Sequence, residues 1–330
     1  MSLPPVLRDH LRLPVVAAPL FLISNPDLVI AQCKAGVVGS FPALNARPQE
    51  ELERWLTRIE AELAAHDPRH GQRPVAPFAV NQIVHRSNPR LEHDLDACVR
   101  HRVPIVITSL GARRDVNDAV HAYGGITLHD VINNSFARKA IEKGADGLIA
   151  VAAGAGGHAG VQSPFALIQE IRQWFDGPLL LSGAIARGAS IIAAQAMGAD
   201  LAYIGSPFIA THEANAVASY KQMIVDSSAQ DIVYSDFFTG VHGNYLRPSI
   251  VANGLDPDGL PPSQAANLDL AKLQSGPKAW KDVWGCGQGI GVVDRVVSTA
   301  ELVRRLSEEY EVGLQQIENR THAWRKKLSV

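Results

Sequence analysis

The stretch LLLSGAIARGASIIAAQAMGADLAYIGSPF, residues 179–208, holds one complete copy of the unit on which the fold turns. An apolar run (179–182) ends in Ser182 and is followed by Gly183-Ala184. Residues 187–197 then read as a helix, Gly198-Ala199-Asp200 breaks it, and a second apolar run (201–204) ends in Gly205-Ser206. A helix stopped by glycine and followed at once by a strand is the αβ joint of a βαβ repeat. The same joint appears at Gly144-Ala145-Asp146, after a helical segment over 134–143. Working outward, apolar runs at 15–18, 37–41, 77–81, 105–108, 126–129 and 147–151 have the same texture. They are continuous rather than alternating, as strands of a parallel sheet buried on both faces are. Between them lie helical segments such as 50–65, whose Leu52, Trp55, Ile59 and Leu63 share a face. Eight strand–helix repeats predict an α/β fold of the (β/α)8 TIM-barrel type; a doubly wound sheet has the same local texture, and the count favours the barrel.

After Phe208 the texture changes. A helix is expected over 212–226, but 231–292 is rich in Gly, Pro, Asn and aromatic residues and has no repeat. A strong helix over 298–324 follows, with Ser298 and Glu301 placed as a capping box. The expected organisation is a barrel over 1–210 and 293–330, with 211–292 inserted on the substrate side before the last helix. A separate small domain is the alternative.

The 330 residues carry 31 Lys+Arg against 33 Asp+Glu, a net charge of −2, so no overall field draws the chain to nucleic acid or an anionic membrane. Cys33, Cys98 and Cys286 form no pair of the kind that builds a disulfide framework or a cysteine-rich zinc site. The histidines suggest no metal set. Without an apolar leader or a membrane-length run, a cytoplasmic protein is expected, and the two-faced last helix is compatible with a homodimer.

In a barrel, ligands meet the C-terminal ends of the strands, and phosphate usually sits after the seventh and eighth. Ser182-Gly183-Ala184 and Gly205-Ser206 stand there, with small residues that let backbone N–H groups approach a phosphate and helices expected to follow. Ser206 adds a hydroxyl. After the sixth strand, GAGGHAG (154–160) offers a bare backbone for a flat ligand and one polar side chain, His158, suited to accept a proton or to donate a hydrogen bond. Asn81 and Thr108-Ser109 close the third and fourth strands with polar groups that a ligand ring would meet. Ala18-Pro19, ending the first strand, suit a flat ring system. Cys286, in the glycine-rich WGCGQG (284–289), is a minor candidate for a reactive thiol. Phe237, Phe238 and Tyr245 either line the pocket or pack the inserted segment.

These motifs together resemble the nitronate monooxygenase family, formerly the 2-nitropropane dioxygenases: FMN-dependent (β/α)8 barrels. The resemblance is carried by AGGHAG (155–160), SGAI (182–185), GADLAYIGSPF (198–208), the opening VVAAPLFLISNPDL (15–28) with its following Lys34-Ala35-Gly36, and the closing WGCGQGIGVVD (284–294). It implies FMN phosphate at Gly183-Ala184 and Gly205-Ser206, the isoalloxazine near Ala18, Pro19, Asn81 and Gly157, and His158 facing a small-molecule substrate. It also implies the 284–289 loop as a cover. The chain departs from the family's pattern at Leu20, which replaces the usual Met, and at Ala184, which replaces a glycine and is comfortable only where φ is not positive. Asp130 stands where relatives carry Lys or Thr near the flavin.

The implied activity is O2-dependent conversion of alkyl nitronates or nitroalkanes to carbonyl compounds and nitrite, with His158 hydrogen-bonding the nitro group or removing the α-proton. Two alternatives stay open: an FMN-dependent reductase using NAD(P)H on quinones or enoyl thioesters, and a barrel binding a phosphorylated ligand without redox chemistry.

Overall fold

The structure, a computed structural model, describes residues 3–66, 74–263 and 279–328. Eight parallel strands, β1 (Val15–Ala17), β2 (Gly39–Pro42), β3 (Phe78–Ile83), β4 (Ile105–Ser109), β5 (Ile126–Val131), β6 (Gly147–Val151), β8 (Leu179–Ser182) and β9 (Leu201–Ile204), pair in the order β1-β9-β8-β6-β5-β4-β3-β2. A parallel bridge between Val16 and Val38, with Ala17 N–H donating to Val38 O at 2.8 Å, brings the two ends of that order together. The result is a (β/α)8 barrel, and each expected strand lies within a few residues of an observed one.

Side chains at alternate positions point into the barrel. Its lower interior is apolar, with Val16, Ala79, Ile105, Ile107, Leu128, Ile149, Leu180 and Leu201 in one buried cluster. The short helix α1 (Pro5–Arg8) adds Leu7 to that cluster and so closes the N-terminal end. Only at the C-terminal ends do inward positions turn polar.

Outside the strands lie α2 (Pro26–Ala35), α3 (Glu51–Ala64), α4 (Leu91–Arg100), α5 (Arg114–His121), α6 (Asn134–Glu142), α7 (Pro164–Arg172) and α8 (Gly188–Met197). The Gly-Ala-Asp joints have a mechanical reason. Gly144 (φ +95°) and Gly198 (φ +115°) take the left-handed conformation that ends a helix. The aspartate that follows latches the neighbouring strand: Asp146 Oδ2 accepts from Thr127 N at 2.7 Å, and Asp200 Oδ2 from Leu179 N at 2.8 Å. α3 buries Leu52, Leu56, Ile59 and Leu63, with Trp55 half-buried and tilted against Phe41.

After β9 comes one helical turn, α9 (Ser206–Ile209), rather than a full helix. The helix expected over 212–226 is present only as α10 (Ala218–Val225), because the polar residues before it are taken up elsewhere. Glu213 accepts the N–H of Thr299 at 2.9 Å, and Asn215 Nδ2 donates to Leu22 O at 3.1 Å. Then follow β10 (Ile232–Ser235), β11 (Gly243–Leu246) and α11 (Arg247–Ala252). β11 pairs antiparallel with β10 and with the two-residue β7 (Gly157–His158), so residues after the barrel's last strand build a small sheet on the histidine segment. α12 (Thr299–Leu328) closes the outer layer against α8 and α2. Only half of its capping box forms: Ser298 Oγ accepts Glu301 N at 3.2 Å, while the Glu301 carboxylate pairs with Arg295.

Candidate active site

A cavity of about 630 Å³ opens at the C-terminal end of the barrel. Ala18, Pro19, Asn81, Asp130, Gly157, His158, Ser182, Gly183, Ala184, Gly205 and Ser206 all border it, although they come from three barrel strands (β3, β5 and β8), from Gly157-His158 and from the segments that follow β1, β8 and β9. Thr108 does not border it. One position out of phase with Ser109, it points away from the interior and bonds His129 Nδ1 at 2.6 Å.

On the floor, three polar side chains form a chain. Asn81 Nδ2 donates to Ile107 O at 3.1 Å and to Ser109 Oγ at 2.7 Å, and Ser109 Oγ donates to Asp130 Oδ2 at 2.6 Å. Asp130 lies deep in the barrel with one side open to the cavity, and burial pushes its carboxyl up to about 6 against the pull of the Ser109 hydrogen bond. Tyr203, the inward residue of β9, borders the same space; burial, with Asp130 nearby, raises its phenol far above the ordinary range. Tyr203 escaped notice in the sequence, although the period-2 rule applied to 201–204 puts it on the inner face.

The walls around the turns are backbone. A Cβ on Gly156 would come 2.8 Å from Gly287 N, and one on Gly183 would meet Ala153 O at 2.8 Å. Ala184 sits at φ +54°, so the conformation that favours glycine is indeed required there, at a cost of about 1 kcal/mol. Its N–H is engaged by Gly154 O at 3.2 Å. The N–H groups of Gly183, Gly205 and Ser206 have no hydrogen-bond acceptor among the described residues. Ser206 Oγ accepts from Gly287 N at 2.8 Å, which leaves its hydroxyl proton free. Open donors converging on a glycine-lined recess fit a phosphate, and the bare backbone beside it fits a planar ring.

The 284–289 loop forms one wall, with Gly285, Cys286, Gly287 and Gly289 on the cavity. It is anchored by Gln288 N to Gly154 O at 2.9 Å and by Tyr220 Oη donating to Gly285 O at 2.5 Å. Tyr220 also stacks on Trp284. Burial pushes the Cys286 thiol up, so it stays protonated at neutral pH and is no nucleophile. Phe237, Phe238 and Tyr245 pack one on the next, and Tyr245 stacks on Trp280; none of the three borders the cavity.

His158 stands opposite, on β7. Burial lowers its imidazole to about 4, so it is neutral across the physiological range. The edge of Trp280 packs against its ring, with centroids 5.6 Å apart. Nε2 lies 2.9 Å from Thr239 Oγ1, and Nδ1 makes no hydrogen bond with any described residue. Thr239 and Trp280 are site residues that the sequence did not disclose. Both lie far from His158 along the chain, in segments with no periodic signal.

The barrel and its strand-end cavity place the chain in the TIM-barrel class, and the family it matches makes it a flavin-dependent oxidoreductase. The chain belongs to the nitronate monooxygenase family, whose sequence profile matches residues 6–309. It is 25% identical to a nitronate monooxygenase of Paraburkholderia phytofirmans, over 92% of this chain and 94% of that one. A carboxyl-CoA dehydrogenase of Rhodococcus jostii is also 25% identical, over 74% and 65% of the two chains. The fold is shared with a nitroalkane oxidase from Streptomyces ansochromogenes (TM-score 0.79, 22% identity, 94% and 99% covered). It is shared too with FabK from Thermotoga maritima (TM-score 0.74, 20% identity, 95% and 97% covered).

Proposed function

We propose that the protein binds FMN in this cavity and, with O2, converts alkyl nitronates and nitroalkanes to carbonyl compounds and nitrite. The observation that carries the reading is a histidine, neutral and with one ring nitrogen unpartnered among the described residues, on the wall of a glycine-lined recess with open phosphate donors. In it, the N–H groups of Gly183, Gly205 and Ser206 and the Ser206 hydroxyl hold the phosphate, and Ala184 contributes the shape of the turn. Ala18, Pro19, Asn81 and Gly157 border the ring, and Asp130 meets it from the barrel floor. The group supplies one-electron oxidation of the nitronate and a partner for O2.

His158 deals with neutral nitroalkanes. Its unprotonated ring takes the α-proton, and the imidazolium so formed, unfavourable when buried alone, is stabilised by the nitronate anion created beside it. The largely apolar lining of the cavity lowers the local dielectric and so strengthens that ion pair.

The test is the visible spectrum of the purified protein followed by anaerobic titration. Bleaching by preformed nitronate, and nitrite release once air is admitted, are expected. Bleaching by NADH or NADPH but not by nitronate would replace this reading with a reductase. The variant His158→Asn is expected to keep its flavin spectrum and to lose about 100-fold in kcat/KM on neutral nitroalkane. Undiminished turnover of nitroalkane removes His158 from the role.

A further inference from the structure

Thr239 Oγ1 sits at a junction. Its hydroxyl donates to Val241 O at 2.9 Å, it receives Val241 N at 3.3 Å, and it lies 2.9 Å from His158 Nε2. A threonine hydroxyl has one proton. If that proton goes to Val241 O, the contact with His158 requires a proton on Nε2. If it goes to Nε2 instead, Val241 O loses its donor and the ring proton moves to Nδ1, which has no acceptor among the described residues. The first arrangement makes one more hydrogen bond than the second, in a buried place where an unmade bond is costly.

We infer that Thr239 is a positioning residue that holds His158 as the Nε2–H tautomer, so that Nδ1 presents its lone pair to the cavity. This rests on the reading of His158 as the proton acceptor. It also selects between the two roles open to that histidine. A neutral ring whose only N–H is engaged by Thr239 has nothing to donate to a nitro oxygen, and it has a lone pair to receive a proton. The proton passes from the α-carbon to Nδ1, the C–H electron pair stays with the substrate as nitronate, and Nε2–H remains bonded to Thr239 throughout.

The flavin-loaded protein tests this by 15N NMR of its imidazoles, with His158 assigned by difference from His158→Asn. Wild type is expected to show a pyridine-like Nδ1 and a protonated Nε2. Thr239→Val is expected to change the tautomer ratio about tenfold, the equilibrium equivalent of one hydrogen bond, and Thr239→Ser to restore it. In turnover, Thr239→Val should lower kcat/KM for nitroethane about tenfold more than for ethyl nitronate, which arrives already deprotonated. A protonated Nδ1 in wild type, or a ratio unmoved in Thr239→Val, overturns the inference whatever the enzyme turns over. Normal tautomers in a protein inert to both nitroethane and ethyl nitronate would instead count against the proposed reaction alone.

Discussion

Asp130 and His158 face one cavity with opposite responses to burial. The aspartate, at 3.8 when free, is raised to about 6 in the folded protein, so the native state binds its proton more tightly than the unfolded chain. Its contribution to stability is complete below 3.8 and is lost as pH rises through 6, where a carboxylate must be kept inside the barrel. The histidine runs the other way: held down at about 4, it contributes fully above 6.5 and loses that contribution as pH falls toward 4. Asp130→Asn preserves an acceptor for the Ser109 hydroxyl and removes the charge. The variant should therefore be more stable than wild type at pH 8, by about 3 kcal/mol, and little more stable at pH 4; denaturant unfolding at both pH values measures the difference. An equal effect at both would place the cause in packing. Asp130, which the family resemblance singled out at the end of the fifth strand, borders the cavity. Its bond to Ser109 was not legible in the sequence, because Ser109 read as a ligand contact in its own right.

Among the elements, α8 shows how much the strand–helix–strand unit owes to glycine at both ends. Gly198 ends the helix, and Gly188 begins it where α12 crosses. A Cβ at Gly188 would come 2.2 Å from Tyr310 N and 2.4 Å from Leu306 O, both backbone atoms that cannot turn aside. At the same end, Gly188 N donates to Glu309 at 2.9 Å and Arg187 pairs with the same carboxylate at 3.1 Å. Gly188→Ala is expected to destabilise the protein by about 2–4 kcal/mol, seen as a lowered unfolding midpoint with an unchanged flavin spectrum in the surviving fold; a midpoint equal to wild type would mean that the two helices separate at little cost. The strands were legible because their apolar runs are continuous and each Gly-Ala-Asp joint marks where a helix yields to one. The close crossing of α8 and α12 was not, because Gly188 and Tyr310 lie far apart in sequence and neither breaks a pattern.

At the scale of the whole molecule, the cavity joins parts of the chain that lie far apart in sequence. The ends of β8 and β9, the segment after β6 and the 284–289 loop all border this space. A ligand bound to all of them ties them together, and only in the folded state. Stripping the flavin should lower stability, and restoring FMN at a hundredfold over its Kd should return about 2.7 kcal/mol, measured as a shift of the thermal midpoint; no shift on reloading would show that FMN is not the group held. The barrel could be read from the sequence since each of its units is local. The small sheet β10-β11-β7 could not, for a strand of two residues has no period and its partner β11 lies more than eighty residues on.

That pairing carries a consequence for how such an enzyme can change. Gly243 is in register with His158, and Thr239 lies in the turn that leads into the same strand. The segment that lines the pocket here with Thr239 and Val241 therefore also sets the position of the His158 ring. If His158 has the role proposed for it, an exchange of residues 232–246 between relatives is expected to alter pocket shape and histidine geometry together, so that reactivity and substrate preference change as a single piece.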